Sequence, residues 1–192
     1  MQTVLIVLAA GASTRMKRIK QLLPYNKVTL LEHTLNTALN TNATAVICVL
    51  GANSNLIQRE VNFKTILVTT NQNWADGLGS SIAHGIQFAQ QQFSNLESVL
   101  FTLADQPFVS SNHLNSIITS ATNPENIYAT KYEDTFGVPT LFPKFYFNDL
   151  RRLKGDQGAK VILKQNQNKI APITPDFTNT DIDTPEDYRH LK

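Results

Sequence analysis

The chain has 192 residues, 42% of them hydrophobic, enough for one compact domain with a sizeable core. Lys and Arg number 17 against 15 Asp and Glu, a net of +2, so no overall field marks nucleic acid or an anionic membrane as a partner, while a polyanionic small molecule stays open. The lone cysteine, Cys48, lies in an apolar run and reads as a small buried hydrophobe, and no intrachain disulfide can form.

Residues 4–10 form a continuous aliphatic run, the composition of a strand covered on both faces in a parallel sheet. This run has no basic leader and passes into a Gly/Ser/Arg loop instead of a cleavage site. No apolar segment approaches the roughly 18 residues needed to span a bilayer, so a soluble cytoplasmic protein is expected. After a loop over 11–20, Leu31, Leu35 and Leu39 recur at helical spacing. Residues 45–50 and 65–69 read as strands, with a short helix over 56–61 between them. A loop over 71–79 carries Trp74, and Ser80 or Ser81 is predicted to cap a helix whose face is Ile82, Ile86, Ala89 and Phe93. Residues 98–104 form the next buried strand, which ends on Asp105. Ser110 and Ser111 start a helix through Leu114 and Ile117, and 127–130 and 138–142 read as shorter strands, Pro139 placing the second at an edge or a bulge. Helices over 145–153 and 159–164, a strand over 170–173 and a helix started by Thr184, Pro185 and Asp187 complete the chain. The alternation predicts the α/β class: a single domain over 1–192 built on a three-layer, doubly wound, mostly parallel, Rossmann-like sheet with a short antiparallel edge element.

Ligands of open α/β sheets collect beyond the carboxyl ends of the strands, so the loops after the apolar runs carry the chemistry. The first, Leu8-Ala9-Ala10-Gly11-Ala12-Ser13-Thr14-Arg15-Met16 with Lys20 beyond, places small residues where backbone N–H groups can approach phosphate oxygens, and adds two cations. The second puts Asp105 at the tip of a buried strand, a hard oxygen ligand for magnesium. In the third, alternation sets Asp181 and Asp183 on one face. Each has a plainer reading: a tight turn with solvated charges, a turn-forming Asp before Pro107, and a helix cap at Thr184 and Asp187. The histidines, His33, His84, His113 and His190, are scattered at no metal-ligand spacing.

Taken in order, Leu8-Ala9-Ala10-Gly11-x-Ser13-x-Arg15-Met16-x-x-x-Lys20-Gln21-Leu22-Leu23-Pro24, Asn73-Trp74-Ala75-Asp76-Gly77-Leu78-Gly79-Ser80-Ser81, Ala104-Asp105-Gln106-Pro107, Gly155-Asp156-Gln157-Gly158-Ala159-Lys160 and Asp181-Ile182-Asp183-Thr184-Pro185-Glu186-Asp187 resemble the molybdenum-cofactor nucleotidyltransferase family, most closely its cytidylyltransferases. The resemblance spans nearly the whole chain. It implies a Rossmann-like nucleotidyltransferase fold and magnesium-dependent transfer of CMP, or another nucleoside monophosphate, from its triphosphate to the terminal phosphate of molybdopterin, releasing pyrophosphate. By the same similarity Leu8, Ala9, Ala10, Gly11, Ser13, Gly79 and Ser80 bind the nucleotide. Arg15 and Lys20 hold its phosphates and act in catalysis with Asp105, and Asp105 and Asp183 bind Mg2+. Gly137, Pro139, Thr140, Asp156 and Gly158 bind the acceptor, and a molybdoenzyme or its chaperone is an implied partner. Guanylyltransferase relatives usually carry Gly where Ala10 stands, so the Ala10 methyl favours CTP. The family has Gly where this chain has Lys17, which bears on the loop because Lys adopts positive φ at greater cost. The competing functions are a sugar- or alcohol-phosphate nucleotidyltransferase and a non-catalytic nucleotide-binding accessory protein.

Overall fold

A computed structural model of the protein describes residues 2–191. In chain order it comprises β1 (Thr3–Ala9), a hairpin of β2 (Pro24–Tyr25) and β3 (Val28–Thr29), α1 (Leu30–Leu39), β4 (Ala45–Leu50), α2 (Ser54–Glu60), β5 (Leu67–Thr70), α3 (Leu78–Gln92), β6 (Ser98–Leu103), α4 (Ser111–Ser120), β7 (Ile127–Tyr132), β8 (Thr135–Pro143), α5 (Phe147–Arg151), α6 (Lys160–Gln165), β9 (Ile170–Ile173) and α7 (Pro185–Arg189). The main sheet runs β5-β4-β1-β6-β8-β7-β9, and β2–β3 forms a small antiparallel sheet of its own.

Period-two alternation in β1 builds the layers. Val4, Ile6 and Leu8 face Ile82, Ile86 and Ala89 of α3 together with Phe147 and Leu150 of α5. Leu5, Val7 and Ala9 face Leu31 and Leu35 of α1, Ile57 of α2, and Leu114 and Ile117 of α4. Every residue of β1 is buried, as a doubly covered central strand requires. The mostly parallel, three-layer sheet implied by the sequence is therefore the fold.

Several local expectations shift. Helix α3 starts at Leu78, before Ser80 and Ser81; Gly77 takes the N-cap place with φ +92°, so the serines lie inside the first turn. Strand β8 runs antiparallel in the sheet interior, between β6 and β7, instead of lying at an edge. Pro139 is accommodated there by the bulge: Ala129 pairs with Thr140 but Thr130 with Gly137, leaving Val138 and Pro139 out of the ladder. Their carbonyls are met by side chains, since Tyr132 donates to Val138 O at 2.5 Å and Thr130 Oγ1 to Pro139 O at 2.8 Å. Caps match their signals at Ser110, which accepts from His113 N, and at Thr184, which forms a capping box with Asp187.

His113 is buried beneath β7, its Nε2 2.8 Å from Thr130 Oγ1. Burial holds its pKa below the ordinary histidine value, outweighing Asp176 and the Thr174 backbone, which favour the charged ring. A depressed folded value means that the unfolded chain binds more protons as pH falls through about 6.5, so stability is full above that pH and is lost below it. The expected outcome is a lower melting temperature at pH 5.5 than at pH 7.5, with a flatter dependence in His113→Asn. His84, also lowered by burial, accounts for slope that remains.

Candidate active site

Three segments converge at the carboxyl end of the central strands. The loop after β1 turns through Ser13 (φ 58°) and Lys17 (φ 57°) before a single 3-10 turn at Lys20–Leu22. Gln21, buried in that turn, fixes the loop by donating from Nε2 to Ala9 O at 2.9 Å and Gly11 O at 3.0 Å. Ser13 Oγ accepts from Lys20 N at 3.1 Å and donates to Gln21 Oε1 at 3.2 Å. At the tip of β6, Thr34 and His33 of α1 reach the carbonyls of Ala104 and Pro107, which clamps the turn carrying Asp105. The C-terminal segment joins through Ile182 N, which donates to Asp105 O at 2.9 Å. Ile182 itself is wholly buried with Met16, Leu23 and Leu30, so Asp181 and Asp183 emerge together on the opposite side.

Lys20 is the hub. Its Nζ donates to Asp105 Oδ2 and, at 3.1 Å, to Asp183 Oδ1, while Arg15 Nη2 meets Asp183 Oδ2 at 2.9 Å. The Lys20 and Asp105 side chains are only 15% and 17% exposed, whereas Arg15 is 69% exposed at the rim. Burial alone would lower the Lys20 pKa, but the carboxylates of Asp105 and Asp183 override it and hold the ammonium above its ordinary value. Burial likewise raises Asp105; Lys20 opposes this, and the like charges of Asp181 and Asp183 add to it. Both shifts report one condition, carboxylate in excess of cation in a poorly solvated place. Asp105 Oδ1 is buried with no hydrogen-bond partner among the described residues.

These groups line a cavity of about 470 Å³ with Leu8, Ala9, Ala10, Gly11, Trp74 and Asp156. A Cβ placed on Gly11 would meet no heavy atom within 4 Å, so its wall is open to a ligand. The Gly11 and Ala12 amides donate to no group among the described residues, which leaves two donors for an anion. Ala10, Gly51 and Trp74 pack so closely that a Cβ on Gly51 would stand 2.5 Å from Trp74 Cβ and 2.8 Å from Ala10 Cβ, which pins Trp74 beside the opening.

Of the residues singled out from the sequence, Leu8, Ala9, Ala10, Gly11, Arg15, Lys20, Asp105 and Asp183 share this cavity. Ser13 stands behind it, holding Lys20. Gly79 and Ser80 are not on its wall: Gly79 N donates to Gly155 O at 2.8 Å, and Ser80 Oγ is engaged by Asn71 Nδ2, Asn73 O and Gly77 O. Gly137 and Thr140 line a second cavity, and Asp156 lines both. Pro139 and Gly158 line neither; Gly158 sits at φ +54° where a Cβ would meet Leu78 at 2.8 Å. Gln21, Trp74 and Gln106 had no role assigned from sequence. Trp74, half-exposed in a loop flanked by polar residues, carried the one usable signal.

The chain matches the family model described as a MobA-like NTP transferase domain over residues 5–170. It is 30% identical to a protein named nicotine blue oxidoreductase from Paenarthrobacter nicotinovorans, covering 97% of this chain and 94% of that one. It is 29% identical to the purine catabolism protein PucB of Bacillus subtilis, covering 95% and 92%. The crystal structure of Rv0371C from Mycobacterium tuberculosis in complex with manganese superposes with a TM-score of 0.80 at 27% identity, covering 100% of this chain and 98% of that one.

Lys17 adopts a positive φ of 57°, the region a Gly enters most cheaply; it is exposed and off the cavity wall. A left-handed conformation costs a residue with a side chain about 1–2 kcal/mol, partly offset by the greater unfolded-state entropy of Gly. Lys17→Gly should stabilise the protein by about 1 kcal/mol, seen as a higher urea midpoint.

Proposed function

The chain belongs to the MobA-like NTP transferase family, a family of nucleotidyltransferases, and on that footing we propose that it transfers CMP from CTP to the terminal phosphate of a molybdopterin-type acceptor. The observation that carries this reading is the Lys20–Asp105–Asp183 cluster, rimmed by Arg15, beside the open amides of Gly11 and Ala12.

In this reading the triphosphate lies along the loop, with the Gly11 and Ala12 amides donating to its oxygens and Arg15 and Lys20 offsetting their charge. An oxygen of the acceptor phosphate, already anionic at neutral pH, attacks the α-phosphorus in line. A new P–O bond forms, the bond from the α-phosphorus to the bridging oxygen breaks, and its electron pair leaves with pyrophosphate. No general base and no protein nucleophile are required. Asp105 and Asp183 suit a divalent cation, because two carboxylates completed by substrate phosphates are a usual magnesium donor set and Asp105 Oδ1 has an unmet lone pair. Such an ion, magnesium by our reading, would supply Lewis-acid stabilisation of phosphate charge. Among the described residues no group of three or more His, Cys, Asp and Glu is placed to hold a metal. The Ala10 methyl, set against Gly51 and Trp74, narrows the base side toward a pyrimidine. Among the described residues no helix is long and apolar enough to cross a membrane.

Asp105→Ala should abolish pyrophosphate release, and the near-isosteric Asp105→Asn, which keeps the packing, should lose at least about a hundredfold. Lys20→Ala should lower turnover by about a hundredfold or more. The reading is overturned by near-normal turnover in either Asp105 variant. In a screen of the four triphosphates with the acceptor and magnesium, CTP should give the fastest release; a clear preference for GTP would refute the pyrimidine assignment.

A further inference from the structure

The second cavity, of about 270 Å³, adjoins the first through Leu8, Leu78, Leu103, Asp156 and Asp181, and its walls include the rings of Phe101, Tyr132 and Phe136. Gln106 lies in this wall and is only 5% exposed. Its Nε2 donates to Asp181 Oδ1 at 2.8 Å. An ionised carboxylate only accepts, so the amide must present its NH2 group to Asp181 and turn its carbonyl away. That carbonyl, Oε1, is buried with no hydrogen-bond partner among the described residues. The main chain around it is settled, with Gln106 O accepting from Val109 N at 3.3 Å and Asp105 O from Ile182 N. Leaving such an acceptor unmet costs about 1–3 kcal/mol, and no feature of the fold explains it. Thr102 and Gln2 also carry unmet side-chain oxygens, but neither lines either of these two cavities, and Asp105 belongs to the cation cluster.

We propose that Gln106 is a specificity residue for the acceptor: Oε1 takes a hydrogen bond from an exocyclic amino group on the edge of a flat heteroaromatic molecule lodged among Phe101, Tyr132 and Phe136. Asp181 is the positioning residue that fixes the amide's orientation. The inference rests on the reading of this cavity as the acceptor side. A site that lacks a donor of its own at this point discriminates strongly, because an analogue with a carbonyl in place of the donor sets two acceptors face to face. Asp181 and Asp183 thus divide their work, the first orienting the reader of the acceptor and the second paired with Lys20.

The test is equilibrium dialysis of the intact chain with pterin and with lumazine, in which a carbonyl replaces the 2-amino group. The wild type should bind pterin about tenfold more tightly, and Gln106→Met should bind the two alike. Asp181→Asn, which no longer dictates which way the amide faces, should lose most of the preference. Gln106→Met is close to isosteric and removes an unmet oxygen, while Asp181 is exposed and can turn to water, so a melting temperature no lower than that of the wild type is expected. Equal binding by the wild type, or a preference that survives in Gln106→Met, overturns the proposal. Pyrophosphate release from CTP is scored separately: release without pterin preference defeats this inference alone, whereas pterin preference without turnover of any triphosphate defeats the transferase reading and leaves Gln106 as a reader of ligand.

Discussion

Lys20 holds its ammonium between carboxylates 85 and 163 residues away in sequence, one at the tip of β6 and the other just before α7. In a poorly solvated place, removing one member of such a group typically costs about 3–5 kcal/mol, so the arrangement persists only if the backbone fixes all three partners. The fold does so from different directions. Buried Gln21 and Ser13 set the loop behind Lys20, α1 clamps the turn behind Asp105, and buried Ile182 holds Asp183 against the loop. Carboxylate still exceeds cation there, which makes the cluster a trap for further positive charge and sets the chemistry of the cavity beside it.

The layers of this fold were legible in the sequence because burial on both faces leaves a plain mark: the predominantly apolar runs of β1, β4 and β6 show no polar alternation. Partial burial leaves a weaker one. Strand β8 carries a proline, which suggested an edge or a bulge; the bulge is what forms, and the strand lies inside the sheet with the freed carbonyls met by Tyr132 and Thr130. The start of α3 was misplaced for a related reason. Serines are strong cap residues in general, but here Gly77 approaches Gly155 and Asp156 too closely for any side chain, and that contact lies across the tertiary structure.

The candidate site divides along the same line. Arg15, Lys20 and Asp105 were recoverable because charge following a buried strand is unusual enough to stand out in one dimension, and Asp183 because it alternates with Asp181 about an isoleucine in a segment that carries the family resemblance. Gln21 and Gln106 were not, because a glutamine in a turn is unremarkable until its amide is known to be buried and aimed. Gly79 and Ser80 illustrate the reverse case: they belong to a conspicuous segment, but Gly79 packs on the backbone of Lys154 and Gly155 while Ser80 ties together Asn71, Asn73 and Gly77, off the wall of the charged cavity.

The segment Asp181-Ile182-Asp183 shows how little sequence is needed to couple the two chambers. Extended backbone alternates its side chains, so burying one aliphatic residue commits both neighbours to the other face. With Ile182 packed on Met16, Leu23 and Leu30, Asp183 reaches Lys20 in one cavity while Asp181 reaches Gln106 in the wall of the next. A slip of a single residue would turn an isoleucine toward the ammonium and drive a carboxylate into an apolar cluster, an exchange unfavourable at both ends. The hydrophobic contact of Ile182 therefore sets the spacing between the two polar ones, and the two cavities are held in fixed relation by packing that touches neither of their contents.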